Sequence, residues 1–258
     1  QIEATDLATL IYTSGTTGQP KGVMLTHQNI SSNVLAGLPT LGALKNQEES
    51  ILTFLPMTHI FARTLTIGHV AWGQSLYFTD PDRLVAHLAE VQPTMFSTVP
   101  RVLEKVYDKV SLGVAEASGL KHKIGTWALA LAKQWDLAKM DGGVSGWQHA
   151  LADKLVYSKL REKLGLTRVK TVATGGAALR ADLAQSFTAF GVPIVQGYGL
   201  TETSPIITMN TPTENRAGTV GQPIAGVEVA IAEDGEILSR GPNIMVGYYK
   251  AQDKTDEV

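Results

Sequence analysis

The chain has 258 residues, no cysteine and a formal net charge of −2, with 44% hydrophobic and 18% charged residues. This describes an ordinary globular protein able to bury one large core or two small ones, without the clustered basic excess of a nucleic-acid binder. The lack of cysteine excludes a disulfide framework, a thiolate zinc site and a cysteine nucleophile, and suits a cytoplasmic setting.

Residues 7–11 form an apolar run that reads as a buried strand. It leads into Thr13-Ser14-Gly15-Thr16-Thr17-Gly18-Gln19-Pro20-Lys21-Gly22, with four hydroxyls, three glycines and one lysine in ten residues. Glycines let backbone N–H groups approach an anion, hydroxyls add neutral donors, and lysine supplies a compact positive charge, so the stretch suits a polyphosphate. The P-loop of nucleotide hydrolases does not fit. Counted from Gly15, its second glycine falls on Pro20, and Gly22 stands where Ser or Thr is required. A polar turn between two strands is the competing reading, but a turn this dense in Gly, Ser and Thr that closes on Pro-Lys-Gly favours phosphate binding.

Residues 23–25 then read as a short strand, followed by a helix capped by Asn29 or Ser31 and running to about Leu41. Residues 50–54 read as a buried strand ending in Leu55-Pro56-Met57-Thr58-His59, with an apolar helix after it. Residues 75–78 are strand-like, and Leu84, Leu88 and Val91 share one helix face. Residues 94–99 read as a strand with Pro100 as the first residue of a helix. From there to about Arg161 the pattern is helical, broken near Ser118-Gly119 and at Asp141-Gly142-Gly143. Strands follow at 169–173 and 192–196, around a helix with Leu179, Leu183, Phe187 and Phe190 along one side.

Alternating strands and helices predict an α/β fold with a parallel-rich sheet flanked by helices. Beyond Ile206 short strands at 227–232 and 236–240, with Gly and Pro turns, predict a small β-rich subdomain. The division expected is an α/β core over 1–215 and the β-rich part over 216–258. The uncharged stretch 64–79 is too short and too polar to span a bilayer.

Two further clusters carry chemistry. Thr174-Gly175-Gly176-Ala177-Ala178 closes a strand and precedes a helix, where open α/β sheets bind ligands, though taken alone it reads as a tight turn without a ligand. Gln196-Gly197-Tyr198-Gly199-Leu200-Thr201-Glu202-Thr203 fails the dinucleotide fingerprint because Glu202 takes the place of the third glycine. It offers instead an aromatic ring, a hydroxyl and a carboxylate. Beside polyphosphate that carboxylate implies a hard cation such as Mg²⁺; otherwise it is a solvated glutamate at a helix start.

His59 in its apolar setting reads on its own as structural, and His27, His69, His87, His122 and His149 have no metal-ligand spacing. Arg101 and Lys105 read as charges on a helix surface. Lys121-His122-Lys123 reads as a solvated basic face, with membrane-surface contact as the alternative. No Gly-x-Ser-x-Gly elbow is present, so catalysis falls to positioning and electrostatics by Lys21, backbone amides and Mg²⁺.

The stretch 13–22 resembles the signature of the adenylate-forming enzymes, which include acyl-CoA synthetases, luciferases and the adenylation domains of peptide synthetases. Later segments resemble that family's motifs in the family's order: Pro56-x-x-His59, 174–178, Tyr198-Gly199-x-Thr201-Glu202, 218–223 and 235–242. The resemblance implies ATP, Mg²⁺ and CoA as cofactor and co-substrates. It assigns Thr13, Ser14, Gly15, Thr16, Thr17, Gly18 and Lys21 to the β,γ-phosphates. Gly175, Gly176, Ala177, Gln196, Gly197, Tyr198 and Gly199 fall to the adenosine, Thr201 to the α-phosphate, Glu202 to Mg²⁺, and His59 to the neighbourhood of the acid's carboxylate.

Pro56-x-x-His59-Ile60-Phe61-x-Arg63, the segment 99–107 and the helical insert before Ala173 look most like long-chain fatty acyl-CoA synthetases. An adenylation domain that loads a carrier protein and a non-catalytic nucleotide-binding module are the alternatives. The family's N-terminal portion, its ribose-holding Thr-Gly-Asp segment, its hinge and its mobile C-terminal domain have no counterpart here. The chain therefore reads as a central fragment, expected not to complete thioester formation alone.

Overall fold

The structure is a computed structural model and describes residues 1–13, 20–42, 48–139 and 142–258. In chain order it forms β1 (Leu7–Thr13), β2 (Lys21–Thr26), α1 (His27–Gly37), β3 (Ser50–Thr53), α2 (Ile60–Ala71), β4 (Ser75–Phe78) and α3 (Leu84–Val91). Then come β5 (Met95–Thr98), α4 (Pro100–Ala115), α5 (Gly119–Ala132), α6 (Gly146–Ala152), α7 (Ser158–Leu164), β6 (Thr171–Thr174), α8 (Ala181–Ala189) and β7 (Ile194–Gly199). The last stretch holds β8 (Ile206–Met209), β9 (Gln222–Pro223), β10 (Glu228–Ile231), β11 (Ile237–Arg240), β12 (Gly247–Tyr248) and α9 (Gln252–Thr255). A π-helical turn, Asp153–Tyr157, joins α6 to α7.

A seven-stranded sheet in the order β4-β3-β5-β6-β7-β8-β9 is the frame. Its strands run parallel from β4 through β7 and antiparallel at β7–β8 and β8–β9. The side-chain period of a strand is two, so neighbouring residues serve opposite faces. Leu52, Phe96, Val172 and Ile194 join a core with α3, α4, α5 and α8. Their neighbours Ile51, Met95, Ala173 and Val195 join a second core with α1, α2, β1 and β2. Both faces of the central strands are thus buried, each strand giving one of two adjacent apolar residues to each core, with Ser and Thr beside them in β3, β5 and β6.

The β-rich stretch divides among three sheets. β10 and β11 form a two-stranded sheet of their own, β9 extends the main sheet, and β12 completes a three-stranded sheet in the order β1-β2-β12. Among the described residues no helix is long and apolar enough to cross a membrane.

Three local expectations need correction. β1 is a strand, but only Ile11 of it is buried, because β1 lies at the edge of its sheet. The cap of α1 is Thr26, not Asn29 or Ser31. Thr26 Oγ1 accepts from the Asn29 backbone N–H at 3.1 Å and Asn29 Oδ1 accepts from that of Thr26 at 2.9 Å, a reciprocal box that frees the Asn29 amide for other work. The strand expected at 192–196 begins later and continues to Gly199, because β8 pairs with Gly197, Tyr198 and Gly199.

Candidate active site

The carboxyl ends of β3, β6 and β7 point their following loops to one place, as in other open α/β sheets. There a cavity of about 170 Å³ is lined by His59, Phe61, Gly175, Gly176, Tyr198 and Thr201, with Gly197, Gly199, Leu200 and Met209 beside them. Three segments far apart in sequence, expected separately to bear function, therefore meet. His59 is the exposed residue before the first turn of α2. Its turn is held by Arg63, whose Nε donates to the Met57 carbonyl at 3.0 Å and whose Nη1 bonds Thr9 Oγ1 of β1.

The glycines of the two loops have different reasons. Gly176 has φ +79° and a Cβ there would meet nothing within 4 Å, so a turn with open space in front of it needs this residue. At Gly199 a Cβ would lie 1.7 Å from the Pro205 carbonyl oxygen, so this glycine is required by the close approach of β8. Gln196 is buried, and its Nε2 donates to the Ala177 carbonyl at 3.3 Å. It ties the two glycine loops together; neither Gln196 nor Ala177 lines the cavity.

Thr13 and Lys21 pair across β1 and β2 and flank the polar loop. Ser14, Gly15, Thr16, Thr17 and Gly18, assigned to phosphate, lie outside the described residues. Lys21 Nζ stands 4.8 Å from the centre of the Tyr248 ring, and Tyr248 Oη donates to Glu202 Oε1 at 2.8 Å. β12 is what delivers Tyr248 there, through Tyr248 opposite Val23. Burial, and then the hydrogen bond to Glu202, push the Tyr248 hydroxyl well above its ordinary value. Glu202 does not line the 170 Å³ cavity; with Tyr198 and Leu200 it borders a neighbouring one of about 290 Å³.

The turn carrying Thr201 and Glu202 is fixed by buried amides that the sequence reading passed over. Asn33 Nδ2 donates to the Ile206 carbonyl at 2.8 Å and Asn243 Nδ2 to that of Thr203 at 2.9 Å. Asn29 Nδ2 donates to the carbonyls of Pro242 and Ile244, both at 2.8 Å. Asn33 did leave a signal, since it falls with Asn29 among the buried residues Asn29, Ile30, Asn33, Val34 and Gly37 of α1. Tyr248 left none.

His69, His87, His122 and His149 each bond a neighbouring side chain or carbonyl, as structural histidines do. Among the described residues no group of three His, Asp or Glu could hold a metal by protein atoms alone. A lone carboxylate such as Glu202 fits a cation that takes its other ligands from phosphate and water, the habit of Mg²⁺.

The chain is 38% identical over 262 residues to long-chain-fatty-acid–CoA ligase ACSBG2 of Xenopus laevis, covering 96% of this chain and 36% of that protein. It is 38% identical over 260 residues to long-chain-fatty-acid–CoA ligase FadD15 of Mycobacterium bovis, covering 99% of this chain and 43% of that one. The chain thus spans less than half the length of these relatives. Its fold is similar to that of o-succinylbenzoate CoA synthetase of Bacillus subtilis in complex with ATP and magnesium ion. The TM-score there is 0.68 at 21% identity, over 99% of this chain and 46% of the other. The model of the AMP-binding enzyme family matches residues 1–249, which takes in every candidate segment described above, and the chain belongs to that family.

Proposed function

We propose that this chain supplies the nucleotide- and acid-binding part of a long-chain fatty acid–CoA ligase, using ATP with Mg²⁺ and passing the acyl group to CoA. One observation carries the reading: His59, Gly175, Gly176, the strand end 197–199 and Thr201 line a single cavity. The 38% identical relatives, both long-chain-fatty-acid–CoA ligases, supply the acid class. On this reading residues 1–215 are the ATP- and acyl-binding core and residues 216–258 the β-rich unit packed against it.

In the first step an oxygen of the acid's carboxylate attacks the α-phosphorus of ATP. A new P–O bond forms, the α–β bridge breaks, and pyrophosphate leaves. Lys21 and the loop beside it hold the β,γ-phosphates, Thr201 donates to the α-phosphate, and the glycine loops leave room for the adenosine. His59 orients the carboxylate at the mouth of α2. Mg²⁺ held by Glu202 and the phosphates would neutralise charge on the departing group. In the second step the CoA thiol loses its proton, attacks the acyl carbon and displaces AMP.

Exchange of labelled pyrophosphate into ATP tests the first step, with acids from acetate to hexadecanoate and a set of amino and aryl acids. Exchange should rise with chain length and fall at least ~10-fold in Glu202→Gln, which keeps an acceptor for Tyr248 but loses the charge. Exchange confined to amino or aryl acids would replace the reading with a carrier-loading domain. ATP binding without exchange would replace it with a non-catalytic module.

A further inference from the structure

A cavity of about 680 Å³, larger than the candidate active site and sharing no residue with it, opens between α3, α4, α5, the π turn and α7. That volume lies in the range of roughly 300–1,000 Å³ typical of small-molecule sites. Val106, Val110, Ile124, Leu155, Leu160 and Leu164 give it apolar walls. The charged residues lining it are four lysines, Lys109, Lys121, Lys159 and Lys163, with no acid among them. None of the four makes an ion pair among the described residues.

Two details bear on what this cavity can hold. Lys159 and Lys163 stand four residues apart on α7, so one face of that helix presents like charges to the same opening, which an isolated helix disfavours. A bound anion removes that repulsion. Gly113 lies inside α4 and lines the cavity, yet a Cβ there would meet nothing within 4 Å. Gly125 of α5 differs, since a Cβ there would come within 2.8 Å of Val114 Cγ1. Gly125 thus answers a packing need. Gly113 is exposed and answers no packing need, so a side chain can be added there without displacing a neighbour.

We propose that this cavity binds one long-chain carboxylate, its tail along the apolar walls and its head among the four lysines, as a site distinct from the nucleotide cavity. Snorkelling lysines suit this ligand, because their stems add to the apolar wall while their ammonium groups reach the head group. The proposal stands independently of the reaction assigned to the candidate active site.

The test is a fluorescence titration of the native protein that carries this chain with cis-parinarate, a fluorescent long-chain carboxylate. Gly113→Trp fills the cavity, and the paired change Lys159→Glu with Lys163→Glu reverses charge on exposed residues; thermal midpoints check that both variants fold. The expected result is a class of saturable binding weakened at least tenfold by each variant. It is kept in His59→Ala, and displaced at least tenfold better by hexadecanoate than by 1-hexadecanol. If Gly113→Trp unfolds, the lysine pair decides. Binding that survives these variants, that disappears in His59→Ala, or that yields to 1-hexadecanol as readily as to hexadecanoate would overturn the proposal. Displacement by anionic phospholipid vesicles but not by monomeric hexadecanoate would overturn it as well, in favour of a bilayer contact.

Discussion

His69 shows what one buried titratable group does to a protein of this kind. It is 1% exposed on α2, and its Nδ1 lies 2.6 Å from Gln74 Oε1, an acceptor, so Nδ1 carries the proton of the neutral ring. Its Nε2 is buried without a partner. Protonation would place a second N–H where nothing accepts it, and burial accordingly pushes the pKa below the ordinary 6.5, against a smaller opposing effect of the Gln74 bond. The unfolded chain therefore takes up this proton at a higher pH than the folded one. Stability from His69 is complete above pH ~6.5 and declines as pH falls through that value, at up to ~1.4 kcal/mol per pH unit, until the folded pKa is passed. Urea unfolding between pH 5 and 8 should show this decline in the native protein and a shallower one in His69→Gln. Equal slopes in both would remove His69 from the explanation.

At the scale of elements, the turn bearing Thr201 and Glu202 is held from α1 as well as by bonds within its own segment. Asn33 donates from Nδ2 to the Ile206 carbonyl and accepts at Oδ1 from the Ile206 N–H at 3.2 Å, with no solvent exposure. Asn33→Asp keeps shape and acceptor but turns the donor into a second oxygen facing the carbonyls of Ile206 and Thr203. A buried group so mismatched should cost at least ~3 kcal/mol in thermal or urea unfolding, more than the ~1 kcal/mol of an ordinary lost hydrogen bond. A loss under ~1 kcal/mol would mean that the turn holds itself. This dependence also explains what the sequence could reveal. His59, Gly175, Gly176 and Thr201 sit in short contiguous motifs, so the family resemblance could single them out, although His59 and the 174–178 turn taken alone read as structural. Asn243 and Tyr248 act through partners 40 and 46 residues away, and no local pattern marks such a contact. Gly199 was visible, but its cause, the carbonyl of Pro205 just before β8, was not.

For the whole molecule, the alternation of strands and helices was enough to foretell the sheet, because each central strand feeds both cores and so carries adjacent apolar residues, one for each face. The margins were harder to read. A two-residue strand such as β9 or β12 has too few side chains for a period, and its pairing is settled by distant partners. The same contrast should govern local stability. β5 and β6 are paired on both sides and every residue of both is buried. β10 and β11 pair only with each other, hold no fully buried residue and leave Ile231, Ile237 and Leu238 exposed. Opening the outer pair breaks one ladder and uncovers little apolar surface, whereas opening β5 or β6 breaks two ladders and exposes both cores. Native-state hydrogen exchange should therefore find the amides of Phe96 and Val172 protected at least ~100-fold more than those of Val229 and Leu238. Equal protection would mean that the β10–β11 pair is held by contacts as strong as those of the central sheet, and that the molecule opens only as one unit.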